Sequence, residues 1–380
     1  MPLPSSDTSA LERSDLDACK RLLANGSRTF HAASFLLPRR VREPAVALYA
    51  FCRVADDAVD NPNADPHALE DLRSRLDAVY RGEPRAQAVD RAFARIVQRF
   101  VIPQALPSAL IEGFEWDRER RRYETFEDLT AYATRVAGTV GAMMALLMGV
   151  RRSDLLARAT DLGIAMQLTN IARDVGEDAA AGRIYLPLSW MRSEGLDPER
   201  WLHKPVFATG LARVIARLLR SADEFYRRSE AGIDSLPLDC RGGIYAARHL
   251  YAEIGREVER RGYDSASGRA IVAPSRKLAL LARTISAVPA SITARARDPL
   301  PATEAARHLV EACAGLCAAQ IRGEATDVPS WWDLEGRVAR VLGTFERLAR
   351  EERASRDLAL QSRRSAAQSR ESVLASAQAC

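Results

Sequence analysis

Lysine is almost absent from this chain. Of its 55 basic residues only Lys20, Lys204 and Lys277 are lysine, and the rest are arginine. Against 50 acids this leaves a net charge of +5. Arginine offers planar, permanently charged forks to phosphate oxygens. The balance therefore admits a nucleic acid, an anionic membrane or a phosphorylated small substrate, without choosing among them. Cysteine is also sparse: six in 380 residues exclude a small disulfide scaffold, and they read as reduced thiols. No histidine stands at metal-site spacing beside Cys313 and Cys317. Long apolar runs are missing. The longest, residues 137–150, is bounded by Arg135, Arg151 and Arg152. It falls short of the roughly 20 residues that span a bilayer, so it reads as a buried core helix. Met1 to Asp7 lack the basic and apolar stretches of a signal peptide, and a cytoplasmic location is expected. Neither β-branched runs of period 2 nor repeats of fixed period occur, which argues against sheets and solenoids.

Helical periodicity fills the space these absences leave. Apolar residues recur at i, i+3 and i+4, and predict helices over 15–23, 44–60, 65–81, 106–116, 125–150, 153–175, 210–232 and 240–262. Pro187, Pro205, Pro237 and Pro274 fall in connections. The expected architecture is all-α, one helical bundle. Residues 1–15 read as a flexible N-terminus, 16–289 as the main domain, and 290–380 as a helical extension with a disordered tail after Leu360. Trp331-Trp332 lies between the extension's helices.

Two acidic clusters carry the chemistry. Asp56, Asp57 and Asp60 crowd the C-terminal end of one predicted helix, where like charges repel and oppose the helix dipole. Tyr49 and Arg53 lie upstream on the same helix. In the second cluster Asn170, Asp174 and Asp178 step by four, beside Arg173 and ahead of Arg183, Tyr185 and Pro187. An acidic i,i+4 pair is ordinarily a solvated helix face. Two such clusters, each ringed by apolar residues and each with an arginine nearby, fit a second reading as well. Two oxygen-rich helices facing each other across an apolar cavity would hold divalent cations that bridge a diphosphate. The cations would assist its departure as a leaving group, and the apolar walls would keep a carbocation from water.

These residues resemble the squalene/phytoene synthases, and within that family the bacterial phytoene synthases. Tyr49-Ala50-Phe51-Cys52-Arg53 through Asp56-Asp57-Ala58-Val59-Asp60 is similar to the first aspartate-rich motif. The stretch from Tyr132 through Gly141 resembles one long signature of the family. Leu162-Gly163, Gln167, Asn170, Arg173-Asp174, Asp178, Arg183, Tyr185 and Pro187 fit a second. Ser27-Arg28-Thr29-Phe30 resembles the N-terminal substrate segment, and Asp117 to Tyr123 a further element lining the site.

The resemblance implies an isoprenoid-synthase-type bundle around a central cavity. It implies a prenyl transferase of the 15-cis-phytoene synthase type in carotenoid biosynthesis. Two geranylgeranyl diphosphates would join head to head through prephytoene diphosphate to phytoene, with Mg²⁺ or Mn²⁺ and without NADPH. By carry-over, Asp56, Asp57, Asp60, Asn170, Asp174 and Asp178 serve the metals. Tyr49, Arg53, Asp56, Asp60, Arg173, Asp174 and Tyr185 are the expected catalytic residues. Ser27, Phe30, Tyr132, Val136, Val140, Gly141, Gln167, Asn170 and Arg183 would bind substrate. Gly138 and Gly141 would permit close approach of helix and chain, and Arg276-Lys277 is a further candidate phosphate contact. The partner is a prenyl diphosphate and not a nucleic acid. Peripheral contact with the inner face of the cell membrane and association with other carotenoid enzymes complete the expectation. The rival readings are a squalene or dehydrosqualene synthase using farnesyl diphosphate, a class I terpene cyclase, and a non-catalytic prenyl-lipid carrier. In cyclases the 4+4 triad usually carries Ser or Thr in the middle and Glu last, whereas Asp stands at both positions here.

Overall fold

The computed structural model describes residues 5–26, 34–60, 65, 67–287 and 300–314. Among them every regular element is a helix. In chain order these are α1 (Ser5–Gly26), α2 (Arg39–Asp60), α3 (Ala68–Arg81), α4 (Ala88–Phe100), α5 (Ala105–Arg118) and α6 (Phe126–Ala133). A five-residue π-helical turn (Thr134–Gly138) leads into α7 (Thr139–Leu147) and α8 (Ser153–Ala180). Then follow α9 (Leu188–Ser193), α10 (Pro198–His203), α11 (Thr209–Asp234), α12 (Leu238–Arg260), α13 (Pro274–Ala287) and α14 (Glu304–Ala312).

The longest of these, α8, runs through the centre and packs on α7, the π turn, α11 and α12. Its closeness to α7 is built into glycines. A Cβ on Gly163 would stand 2.2 Å from the Ala137 carbonyl oxygen, and one on Gly141 would stand 2.2 Å from that of Ala159. Only glycine lets the two backbones touch. Gly138, expected to do the same, has room for a Cβ, since its nearest neighbour would be Thr134 at 3.5 Å.

The apolar side chains form two main clusters. One joins α1 to α5, α7 and the end of α14. The other joins α6, α8 and α9 to α12. Val136 and Leu162 border both, and the central cavity opens at that junction. The apolar run 137–150 is largely buried as core helix, and no helix among the described residues is long and apolar enough to cross a membrane.

Three expectations from the sequence need correction. Residues 5–15 are not a flexible terminus but the first half of α1. Asp15, only 1% exposed, anchors that helix by accepting from Arg91 Nε at 3.1 Å and Arg95 Nη2 at 2.8 Å. Pro44 does not open α2, which begins at Arg39. The proline removes the bond its N–H would have given the Arg40 carbonyl and crowds that carbonyl with its ring, while the Arg40 guanidinium ties the helix start to Asp239 at 2.6 Å. Helix 125–150 is interrupted rather than continuous. It begins at Thr125 with a reciprocal capping box to Asp128. The hydroxyls of Thr130, Thr134 and Thr139 then donate back to the carbonyls of Phe126, Thr130 and Arg135. Such back-bonding bends helices, and the extra residue of the π turn falls where the helix passes the cavity. The Trp331-Trp332 pair and the tail after Leu360 lie outside the described residues.

Candidate active site

Tyr49, Arg53 and Asp56 sit on one face of α2, and Gln167, Asn170, Arg173 and Asp174 on one face of α8. All seven line a single cavity of about 960 Å³. The sequence clusters, more than a hundred residues apart, therefore meet. Arginines hold the carboxylates in place. Arg53 Nη1 lies 3.3 Å from Asp56, and its Nε donates to Asp57 at 3.1 Å. Arg173 grips Asp174 through two bonds of 2.7 and 2.6 Å. A third guanidinium comes from the loop after α12: Arg269 Nε stands 2.9 Å from Asp174, and its Nη1 stands 3.2 Å from Glu177. That loop is fastened to α8 where Gly176 N–H donates to the Ser265 carbonyl at 3.0 Å.

Around these charges stands an aromatic group. Asp117 accepts from the Tyr132 hydroxyl at 2.8 Å and from the Tyr185 hydroxyl at 2.7 Å. The two rings stack with centroids 5.2 Å apart. Burial, reinforced by the Asp117 charge, pushes both phenols far above their ordinary pKa, so they stay protonated. Burial likewise raises Tyr49 and Tyr251.

A second cavity, of about 340 Å³, continues from the first. The two share Tyr49, Cys52, Val136, Gln167, Asn170 and Tyr251. Its walls are apolar and include Val140, Gly141, Met144, Leu162 and Met166. An ionic chamber thus opens into a hydrocarbon one.

Not every expected residue faces the chamber. Asp57 is more than half exposed and turned to Arg53. Asp178, one turn past Asp174, is not among the lining residues. Burial, with a further contribution from Asp174, pushes its carboxyl up to about 7. Arg183 adjoins Asp178 through its backbone N–H, which donates to the Asp178 carbonyl at 2.8 Å. Tyr185 does not line the chamber itself and touches it through Asp117 and Tyr132. Ser27, Phe30 and the side chain of Asp60 lie outside what the structure describes. Of the Arg276-Lys277 pair, Lys277 lines the chamber, while Arg276 donates to Glu253 at 2.9 Å. Two polar lining residues had no signal in the sequence. Tyr251 occupies an ordinary position on an amphipathic helix, and Arg269 is one arginine among many.

The chamber's donors fit a hard divalent cation by chemistry rather than as a ready cage. Among the described residues no three His, Cys, Asp or Glu side chains converge as a metal cluster. The chamber offers the oxygens of Asp56, Asn170 and Asp174. Mg²⁺ is usually held by one or two carboxylates plus substrate phosphates, and an all-oxygen set suits Mg²⁺ or Mn²⁺.

The model of the squalene/phytoene synthase family matches residues 23–278. The chain is 56% identical over 277 residues to a phytoene synthase of Cereibacter sphaeroides, covering 70% of this chain and 78% of that one. It is 50% identical over 314 residues to a phytoene synthase of Rhodobacter capsulatus, covering 80% and 91%. Among solved structures, a dehydrosqualene synthase in complex with ligand is 31% identical. It superposes with a TM-score of 0.68 over 73% of this chain and 98% of that one.

Proposed function

The chain belongs to the squalene/phytoene synthase family, and from its likeness to the bacterial phytoene synthases we infer that it is a phytoene synthase. It is a prenyl transferase of carotenoid biosynthesis. The observation that carries the reading is the joined pair of chambers, one ionic and one apolar, meeting at Gln167 and Asn170. A prenyl diphosphate has the same two halves.

In this reading the substrate is geranylgeranyl diphosphate and the cation is Mg²⁺ or Mn²⁺. Asp56, Asn170 and Asp174 would hold the metal. Bound there, it would supply Lewis-acid stabilisation of the departing diphosphate. Arg53, Arg173, Arg269 and Lys277 surround the same volume and would bind phosphate oxygens directly. Freed of its diphosphate, the first prenyl group is an allylic cation. Tyr49 and Tyr132 line the chamber, and aromatic rings attract a cation. Tyr132 and Tyr185 keep their protons and donate them in hydrogen bonds to Asp117, so neither phenolate is available to trap the cation. The apolar walls exclude water while the second prenyl group attacks through its double bond. Each half-reaction ends in loss of a proton rather than in hydride transfer, so NADPH has no role. Exposed Ile271 on the chamber rim fits peripheral contact with the inner face of the cell membrane, which would receive the C40 hydrocarbon.

Incubation with the C20 diphosphate and Mg²⁺, followed by product analysis, tests this. Phytoene is expected, and Asp174→Ala should make none while keeping its helical circular dichroism. A cyclised C20 product would instead establish a terpene cyclase.

A further inference from the structure

The apolar chamber contains one charged residue. Arg158 lies on the same face of α8 as Leu162, Met166 and Asn170. At 1.5 Å per residue it stands about 18 Å along the helix from Asn170, deep in the chamber. Its stem builds the wall there. A Cβ added to Gly232 of α11, itself a lining residue, would stand 2.4 Å from Arg158 Cβ.

The head of Arg158 is pulled out of the chamber. Its Nη2 donates to the Pro301 carbonyl at 2.9 Å and lies 3.2 Å from Asp161 Oδ2. Arg228 binds the same two acceptors, Asp161 at 3.1 Å and Pro301 at 2.9 Å. Arg158 is 4% exposed and Asp161 0%. A buried guanidinium and a partly buried one thus share one carboxylate, and the Pro301 carbonyl is the second acceptor they need. The Nε and Nη1 of Arg158 are buried without a hydrogen-bond partner, so Nη2 alone fixes its direction. Pro301 in turn is held by α14, whose Ala306 and Leu309 are fully buried. All of this segment lies beyond residue 278, where the family match ends.

We propose that Arg158, latched by Pro301, closes the deep end of the prenyl chamber and selects chain length, so that the C-terminal extension takes part in substrate choice. The proposal rests on the reading of the apolar chamber as the prenyl site. Shortening Arg158 would lengthen the chamber toward α11, and loosening α14 would release the latch.

The test is the ratio of kcat/KM for a C25 prenyl diphosphate to that for the C20 compound, measured on the full chain. A single methylene in an apolar pocket commonly changes kcat/KM by about tenfold or more. Arg158→Ala should therefore raise the C25:C20 ratio by about tenfold or more. Arg158→Leu keeps an apolar contact with Gly232 and leaves Asp161 paired with Arg228. It serves if the alanine variant does not fold, and should raise the ratio by a smaller factor. Leu309→Ser should move the ratio in the same direction. An unchanged ratio in a folded Arg158 variant, or a shift toward shorter chains, overturns the proposal. A shift for Arg158 without one for Leu309→Ser overturns the part played by the extension. Failure of the unmutated chain to make a C40 product from the C20 diphosphate would instead strike the functional reading.

Discussion

Asp178 shows how much a single side chain's surroundings matter. By spacing it is the equal of Asp174, four residues on along one helix. In the fold Asp174 is held by two guanidinium groups, whereas Asp178 is pushed up to about 7 by burial and by Asp174 itself. An unfolded chain's aspartate ionises near 3.8. Between these two values the unfolded chain releases a proton that the folded chain keeps, so stability falls as pH rises from about 4 to about 7 and then levels off. Without divalent cation, Asp178→Asn should melt several degrees above the unmutated chain at pH 8 and together with it at pH 4. Coincident melting at both pH values would place the carboxyl in the ordinary aspartate range. Residue type, spacing and the adjacent Arg173 were legible here, but neither the second arginine partner nor the desolvation was, because both come from other elements. Arg269, nearly a hundred residues away, is the clearest case.

At the level of elements, the crossing of α7 and α8 fixes the distance between chamber walls. The sequence offers three glycines for it, Gly138, Gly141 and Gly163, and composition cannot rank them. The fold can, because a Cβ on two of them would stand 2.2 Å from a facing backbone carbonyl oxygen, while on the third the facing Thr160 carbonyl would be 3.6 Å away. Gly163→Ala is expected to cost about 1–3 kcal/mol or more, the range for overpacking a filled core. Gly138→Ala should be within about 1 kcal/mol of neutral, since its added methyl meets only ordinary contacts and stiffens the unfolded chain. Urea unfolding of the two variants checks this, and equal losses would refute the assignment. The helices were readable from their period of 3.6. The π turn at Thr134–Gly138 was not, because it depends on threonine hydroxyls bonding back to carbonyls inside a segment whose pattern still reads as helix.

For the whole molecule, the boundary near residue 289 is a change in composition and not an edge of packing. The extension's α14 returns to the bundle, burying Leu309 and Cys313 in the core that holds α1 to α5. Fully burying one large aliphatic side chain is worth about 1.5–3 kcal/mol. A chain stopped near Arg295 should therefore melt several degrees below the full chain, even if it still turns over substrate in detergent. Identical melting curves would show that α14 adds nothing. The arginine excess resolves at this scale too. Much of it is paired with acids across helices, as in the buried Arg75–Asp90 bridge, and only a few members turn toward the chamber. The sequence by itself determined the helical class, the two oxygen-bearing stripes and the kind of substrate they suit, because periodicity and residue chemistry are local properties. The tertiary structure alone decided which arginines hold which carboxylates, where the ionic chamber becomes apolar, and what closes its far end. Those depend on side chains brought together from distant segments, and no local pattern records such a meeting.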